Sequence, residues 1–380
     1  MLDPKRFYET LAENGIDFFA GVPDSLLKDF CALVTDTASA ERHIIAANEG
    51  SAMGLAAGYH LASRRFGCVY MQNSGFGNTV NPLTSLVDPE VYAIPMLLIV
   101  GWRGEPGKKD EPQHVKMGRV QVPLIQALEI AHEPLPDDDA GAAAAVGRAI
   151  AWMKEKNAPY ALLVRAGTFD KYKLKNQRPT PASYDLGREE TIALLADQVT
   201  AATKGAAFVC TTGMPSRELF EHRVKNGQDR SSDFLTVGSM GHASQIALGV
   251  ALEKRDRPVY CLDGDGAALM HLGGLATIAQ MGPENYHHVI LNNAAHDSVG
   301  GQPTVGFDVD FCAIAKACGY RETFRATSRA ELLALLPAFV AAKGPVLLEV
   351  RIKTGARADV GRPTATPRES KDLFMKNLAG

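Results

Sequence analysis

The chain repeats itself at long range. Val69–Gly75 can be laid on Val259–Asp265, 190 residues later, and Ala52–Gly58 on Ala243–Gly249 at an offset of 191. Leu98–Val100 falls on Val289–Leu291, again at 191, and Pro159–Arg165 resembles Pro345–Arg351 at 186. Four matches in one order, at offsets within 5 residues of each other, describe two copies of one architecture, each about half of the 380 residues. The repeated pieces are short apolar runs: 69–71, 96–100 and 160–164 in the first half, then 206–210, 259–262, 289–291 and 346–350. Each has the length of a strand buried on both faces, and Ala-rich helical stretches separate them. Strand alternating with helix gives a parallel sheet covered on both sides. The expected fold class is α/β, with two doubly wound parallel-sheet domains of similar architecture.

The join shows in composition. Asp170–Arg188 is polar, carries Pro179 and Pro181 and has no apolar period, as a surface linker would. The expected division is a first domain over 1–175, a linker over 176–188 and a second domain over 189–380. Asp137–Asp139, before an Ala-rich stretch, reads as a helix start, with acids favoured by the macrodipole.

Charge and hydropathy exclude several classes. Lys plus Arg is 40 and Asp plus Glu 43, a net charge of −3, without the basic excess of a nucleic-acid binder. The longest apolar stretch, Ala93–Trp102, is too short to cross a bilayer and contains Pro95. Met1-Leu-Asp-Pro-Lys-Arg leads into helix-like sequence with no apolar signal core. Six cysteines, at 31, 68, 210, 261, 312 and 318, include no C-x-x-C pair and fit buried, reduced thiols. A cytoplasmic location is expected.

The chemistry concentrates in Val259-Tyr-Cys-Leu-Asp-Gly264-Asp265-Gly266-Ala267. A buried strand ends in a Gly-Asp-Gly turn with a helix to follow. The glycines let backbone approach a ligand, and the helix start offers N–H groups to an anion. Asp265 would repel a phosphate unless a cation lay between them, so the turn points to a diphosphate held through a hard divalent ion. The Rossmann fingerprint is absent, because Leu269 stands where its third glycine should be. The next strand, Val289–Leu291, ends in Asn292-Asn293, with 25 residues between Gly266 and Asn292, room for one helix and one strand of a crossover. Asp and Asn oxygens plus a main-chain carbonyl suit the octahedral shell of Mg2+.

Gly264-Asp265-Gly266 with Asn292-Asn293 resembles the signature of the thiamine diphosphate enzymes. That resemblance implies the thiamine diphosphate-binding fold, with a pyrimidine-binding first domain and a second domain that binds the diphosphate and Mg2+. It implies metal ligation by Asp265, Asn293 and the carbonyl of Ala295. Asn48-Glu49-Gly50-Ser51-Ala52 fits the place of the family's catalytic acid, with Glu49 bonded to N1′ of the aminopyrimidine. Met240, in Gly238-Ser239-Met240-Gly241-His242, fits the wedge between the rings of the V-shaped cofactor. Thr212-Gly213-Met214 resembles another cofactor contact, as do Asn73 and Gly75. In this family the cofactor lies between domains of different subunits, which implies a homo-oligomer, at least a dimer, with active sites between subunits.

The linker leaves no room for a third domain, and the long strings resemble the compact phosphonopyruvate decarboxylases. These are Gly21–Asp29, Met71–Asn78, Gly101–Gly107, Asp110–His114 and His296–Thr304. The implied reaction converts 3-phosphonopyruvate to phosphonoacetaldehyde and CO2 in phosphonate and antibiotic biosynthesis. The sulfopyruvate decarboxylases are the alternative, and a non-catalytic diphosphate-binding protein is a third reading, opposed by the retention of Glu49. A doubly anionic substrate calls for cations. Arg103, Lys108, Lys109, His114, Lys116 and Arg119 follow the strand ending at Val100, where a parallel sheet places its ligand loops. Ser25, Arg103, His114 and His296 are the substrate-binding candidates, with His114 and His296 also candidate proton donors. Ser25 could instead cap a helix. Asp24 stands where many relatives have glycine, and Ala294-Ala295 replaces a pair that usually contains glycine. His287-His288 is expected at the surface.

Overall fold

A computed structural model describes residues 1–379. They divide into two compact units: Met1–Gln177 with Ser298–Gln302, and Arg178–Asp297 with Pro303 onward. In the first unit the strands are β1 (Phe19–Gly21), β2 (His43–Ile45), β3 (Gly67–Gln72), β4 (Met96–Gly101), β5 (Ala131–Pro134) and β6 (Tyr160–Val164). In the second they are β7 (Ala207–Cys210), β8 (Asp233–Leu235), β9 (Val259–Gly264), β10 (Tyr286–Asn292), β11 (Glu322–Ala326) and β12 (Val346–Arg351). Every pairing is parallel.

The strand orders are β2-β1-β3-β4-β6-β5 and β11-β12-β10-β9-β7-β8. Read backwards and renumbered from its own first strand, the second sheet has the order of the first. The order reverses beside β1 in one and β7 in the other, and ligand crevices open at such points, beyond the carboxyl ends of the strands. Each sheet is sandwiched between two apolar layers. In the first unit Tyr70, Leu97 and Ile99 face one layer, while Val69, Leu98 and Val100 face the other. In the second, Leu262, Val289 and Leu348 face one, and Cys261, Ile290 and Leu347 the other. All seven apolar runs of the sequence are strands.

Residues 171–187 form neither helix nor strand. The amide of Tyr172 donates to Asp29 at 3.0 Å and that of Lys175 to Asp36 at 2.9 Å, which ties the start of this segment to the first unit. Leu186 lies in the second unit's core. Arg188 opens the helix Arg188–Ala202 and is itself buried. Asp138 caps the helix Asp139–Lys156, accepting from the Gly141 amide at 2.8 Å.

His287 and His288 are not at the surface: they lie in β10, 3% and 1% exposed, because β9 and β12 flank that strand. His287 stacks on Tyr260 with 4.5 Å between ring centres, and burial pushes its imidazole down to about 4. His288 Nε2 lies 3.5 Å from Asp263. Four of the six cysteines are buried, Cys312 and Cys318 are partly exposed, and all are free thiols. Among the described residues, no helix is long and apolar enough to cross a membrane.

Candidate active site

In the first unit the candidate residues gather beyond the carboxyl ends of β1 to β4. Glu49 is the first residue of the helix Glu49–Ser63, capped by Asn48, whose side chain accepts from the Ser51 amide at 2.9 Å. A carboxylate in a first helical turn is favoured by the helix dipole. Yet Glu49 is only 4% exposed, far more buried than that role needs. Asn78 Nδ2 donates to its Oε2 at 2.7 Å, which holds the other oxygen in place. A Cβ at Gly75 would fall on Oε1, so glycine there keeps the carboxyl seated. Asn73 is fully buried; its Nδ2 donates to the Arg103 carbonyl at 2.8 Å while its Oδ1 has no partner among the described residues.

Arg103 follows β4 and is not a free cation. Its Nε and one terminal nitrogen donate to Asp110 at 2.8 and 2.5 Å, and the other terminal nitrogen donates to Ser25 Oγ at 2.7 Å. This fork holds the Asp110 carboxyl below its ordinary range. Ser25 caps nothing: the following helix begins at Lys28, with Leu27 in the cap position. Asp24 is completely buried, accepts from the Leu26 amide at 3.0 Å, and is pushed up to about 6 by burial. His114 is buried in the helix Pro112–Ala127, and desolvation lowers its imidazole, with the Arg103 charge adding to the effect. Lys108, Lys109, Lys116 and Arg119 are exposed. Of the basic run, only Arg103 and His114 turn inward.

In the second unit the candidates cluster beyond β7 to β10. Gly213, at φ 95°, turns the chain from β7 into the helix Met214–Lys225. Ser239 sits at φ 53° before Met240, and the ring of His242 stands 4.7 Å from that of His271. Asp265 opens the helix Asp265–Met270 directly after β9. It is 2% exposed, burial pushes its carboxyl up to about 6, and Thr304 Oγ1 donates to Oδ2. A Cβ at Gly266 would lie 3.1 Å from the His296 ring and 3.4 Å from Met240 Cε, so glycine leaves those two side chains room to meet. His296, largely buried, is pushed down to about 4. Ala267 is buried beside them.

Asn293, 5% exposed, directly follows β10 with its amide fixed from two sides. Its Nδ2 donates to Asp297 at 2.7 Å, and its Oδ1 accepts from the Ala295 amide at 3.1 Å. Asn292 instead turns inward, donating to Glu349 at 2.8 Å and to the Gly306 carbonyl at 2.7 Å. Ala294 adopts φ 53°, the left-handed conformation that a glycine takes without strain. Asp265, Asn293 and the Ala295 carbonyl are an all-oxygen donor set of the kind hard divalent cations take. The residues fit a magnesium ion.

Asn78, Asp110, Asp297 and Thr304 escaped the sequence reading as site residues. All four stood inside strings that were quoted, but nothing in composition or spacing tells a side chain that steadies a site from its neighbours.

Residues 5–123 match the family model "Thiamine pyrophosphate enzyme, N-terminal TPP binding domain", and residues 212–350 match "Thiamine pyrophosphate enzyme, C-terminal TPP binding domain". Together with near full-length relatives, these matches make the chain a member of the thiamine pyrophosphate enzyme family. It is 38% identical to the phosphonopyruvate decarboxylase of Streptomyces viridochromogenes, over 95% of this chain and 91% of that one. It is also 38% identical to that of Streptomyces hygroscopicus, over 99% of this chain and 94% of the relative. The sulfopyruvate decarboxylase of Methanosarcina acetivorans is 26% identical, over 98% of this chain and 97% of its own.

Proposed function

We propose that this protein is a thiamine diphosphate- and Mg2+-dependent decarboxylase of 3-phosphonopyruvate, a carboxy-lyase releasing phosphonoacetaldehyde and CO2. The observation that carries the substrate is the end-to-end identity of 38% to phosphonopyruvate decarboxylases, against 26% to the sulfopyruvate enzyme. The bound cofactor would supply the carbon nucleophile and electron sink that a 2-oxo acid needs in order to lose CO2.

The chain's own residues do the rest. Asp265, Asn293 and the Ala295 carbonyl would hold Mg2+, and Thr212-Gly213-Met214 would meet the diphosphate at a helix start. Ser239, Met240, His242, Gly264, Gly266 and Ala267 would line the cofactor. Glu49, held by Asn78, would bond the aminopyrimidine nitrogen and set its tautomer, with Asn73 and Gly75 beside it. Ser25 and Arg103 would orient the substrate's anionic groups, each charge-assisted hydrogen bond contributing about 1.5–3 kcal/mol. With Arg103 already neutralised by Asp110, the substrate pocket is less cationic than the basic run suggests. His114 and His296, both biased toward neutrality, would be the candidates to relay a proton to the reacting carbon. The active form would be at least a dimer working in the cytoplasm.

The test is a substrate panel with purified protein, thiamine diphosphate and Mg2+. Phosphonopyruvate should give phosphonoacetaldehyde; turnover of sulfopyruvate in its place would move the assignment to that class. Replacing Glu49 with Gln should leave cofactor binding largely intact and lower turnover by at least about 100-fold. Unchanged turnover would refute the role of the acid.

A further inference from the structure

Asn293 does not hold its own orientation. Three hydrogens converge on a single oxygen, Asp297 Oδ2: from Asn293 Nδ2 at 2.7 Å, the Gly355 amide at 2.9 Å and Arg188 at 3.2 Å. Arg188 is in turn locked by Glu218, which accepts from its Nε at 2.9 Å and from a terminal nitrogen at 3.1 Å. The side chains of Arg188 and Glu218 are 6% and 1% exposed, and that of Asp297 is 15% exposed. No spacing in the sequence links these residues: Arg188 begins the helix Arg188–Ala202, Glu218 lies within the helix Met214–Lys225, and Gly355 follows β12.

The chemistry of this contact is directional. An ionised carboxylate only accepts, so a carboxamide beside it must present its NH2 group and turn its oxygen away. The Ala295 amide, 3.1 Å from Asn293 Oδ1, makes the same selection from the other side. A flipped Asn293 would aim its NH2 at a cation and its oxygen at a carboxylate, unfavourable at both ends. Asp297 also adds a negative charge behind a carboxamide that carries none.

We propose that Asp297, fixed by Arg188, Glu218 and the Gly355 amide, is a positioning residue that orients Asn293 Oδ1 as a ligand for the divalent cation. The inference rests on the cofactor reading above. Partners behind a ligand of this kind typically account for 10- to 100-fold in metal affinity.

Mn2+ serves as the probe, its binding to the full chain with thiamine diphosphate followed by electron paramagnetic resonance. Asp297→Ala should weaken Mn2+ binding about 10- to 100-fold. It should raise the Mg2+ concentration for half-activation in parallel with the loss of Mn2+ affinity. Asp297→Asn, which can keep an acceptor oxygen where the three hydrogens meet, should restore most of the affinity. A residue that merely stabilised the fold would lower the thermal midpoint without moving the Mn2+ constant. Should Asp297→Ala not fold, Arg188→Met with Glu218→Met removes both buried charges together and tests the same chain from its far end. That pair should weaken Mn2+ binding at least about threefold, a fraction of the direct effect. A folded Asp297→Ala protein, or a folded paired variant, that binds Mn2+ as tightly as wild type overturns the proposal alone. Wild-type protein that binds no Mn2+ with thiamine diphosphate overturns the cofactor reading and this inference with it.

Discussion

Residue by residue, the candidate site depends as much on absent atoms as on charged ones. Gly75 carries no side chain, and that is why the Glu49 carboxyl lies where it does. A Gly75→Ala substitution should push the carboxyl off its seat beside Asn78, lowering turnover by about as much as Glu49→Gln, at least 100-fold. Circular dichroism should stay native, and an active Gly75→Ala enzyme would show that the seat is wider than the structure draws it. The sequence pointed to Asp265 and Asn293 because their types and spacing carry chemistry of their own, and to Glu49 only through the resemblance that those two carry. Asn78, Thr304 and Asp297 were illegible for a physical reason. Each reaches the residue it steadies through a single hydrogen bond, and many polar side chains at a loop or helix start could make such a bond. The His287-His288 reading erred because a polar pair suggests solvent, whereas an interior strand takes any side chain that finds partners.

Among the elements, legibility followed burial. The seven strands foreseen are apolar runs inside the sheets. β2, β5, β8 and β11 are the four sheet edges, and β1 has only three residues. Edges face water, so their sequences carry charge and lose the continuous apolar run. β8 shows how one is held. Its first residue, Asp233, receives Arg223 Nε at 3.1 Å from the helix Met214–Lys225, and both side chains are almost fully buried. Burial pushes the Asp233 carboxyl up to about 6 even so, the arginine opposing the shift. Arg223→Leu would strand that carboxyl without its cation, and the loss should be about 3 kcal/mol in chemical denaturation. A loss below about 1 kcal/mol would place the pair among surface-like bridges.

For the whole molecule, a buried imidazole makes part of the stability depend on pH. His287 titrates near 4 in the folded chain against an ordinary value of 6.5. The unfolded chain therefore binds the proton more readily, and stability is lost as pH falls from about 6.5 toward 4. From pH 7 to pH 5 this one group should cost about 2 kcal/mol. A His287→Phe variant keeps the stacking on Tyr260 and carries no proton site, so its urea midpoint should fall correspondingly less over that interval. Parallel behaviour of the two proteins would mean that His287 is protonated as easily folded as unfolded.

The shared strand order has a consequence of its own. Each sheet is complete within its own half, since no strand of one pairs with a strand of the other. Residues 171–187, between the two, contribute no helix or strand to either. Two separate polypeptides, broken there, would each carry a whole sheet and its two apolar faces.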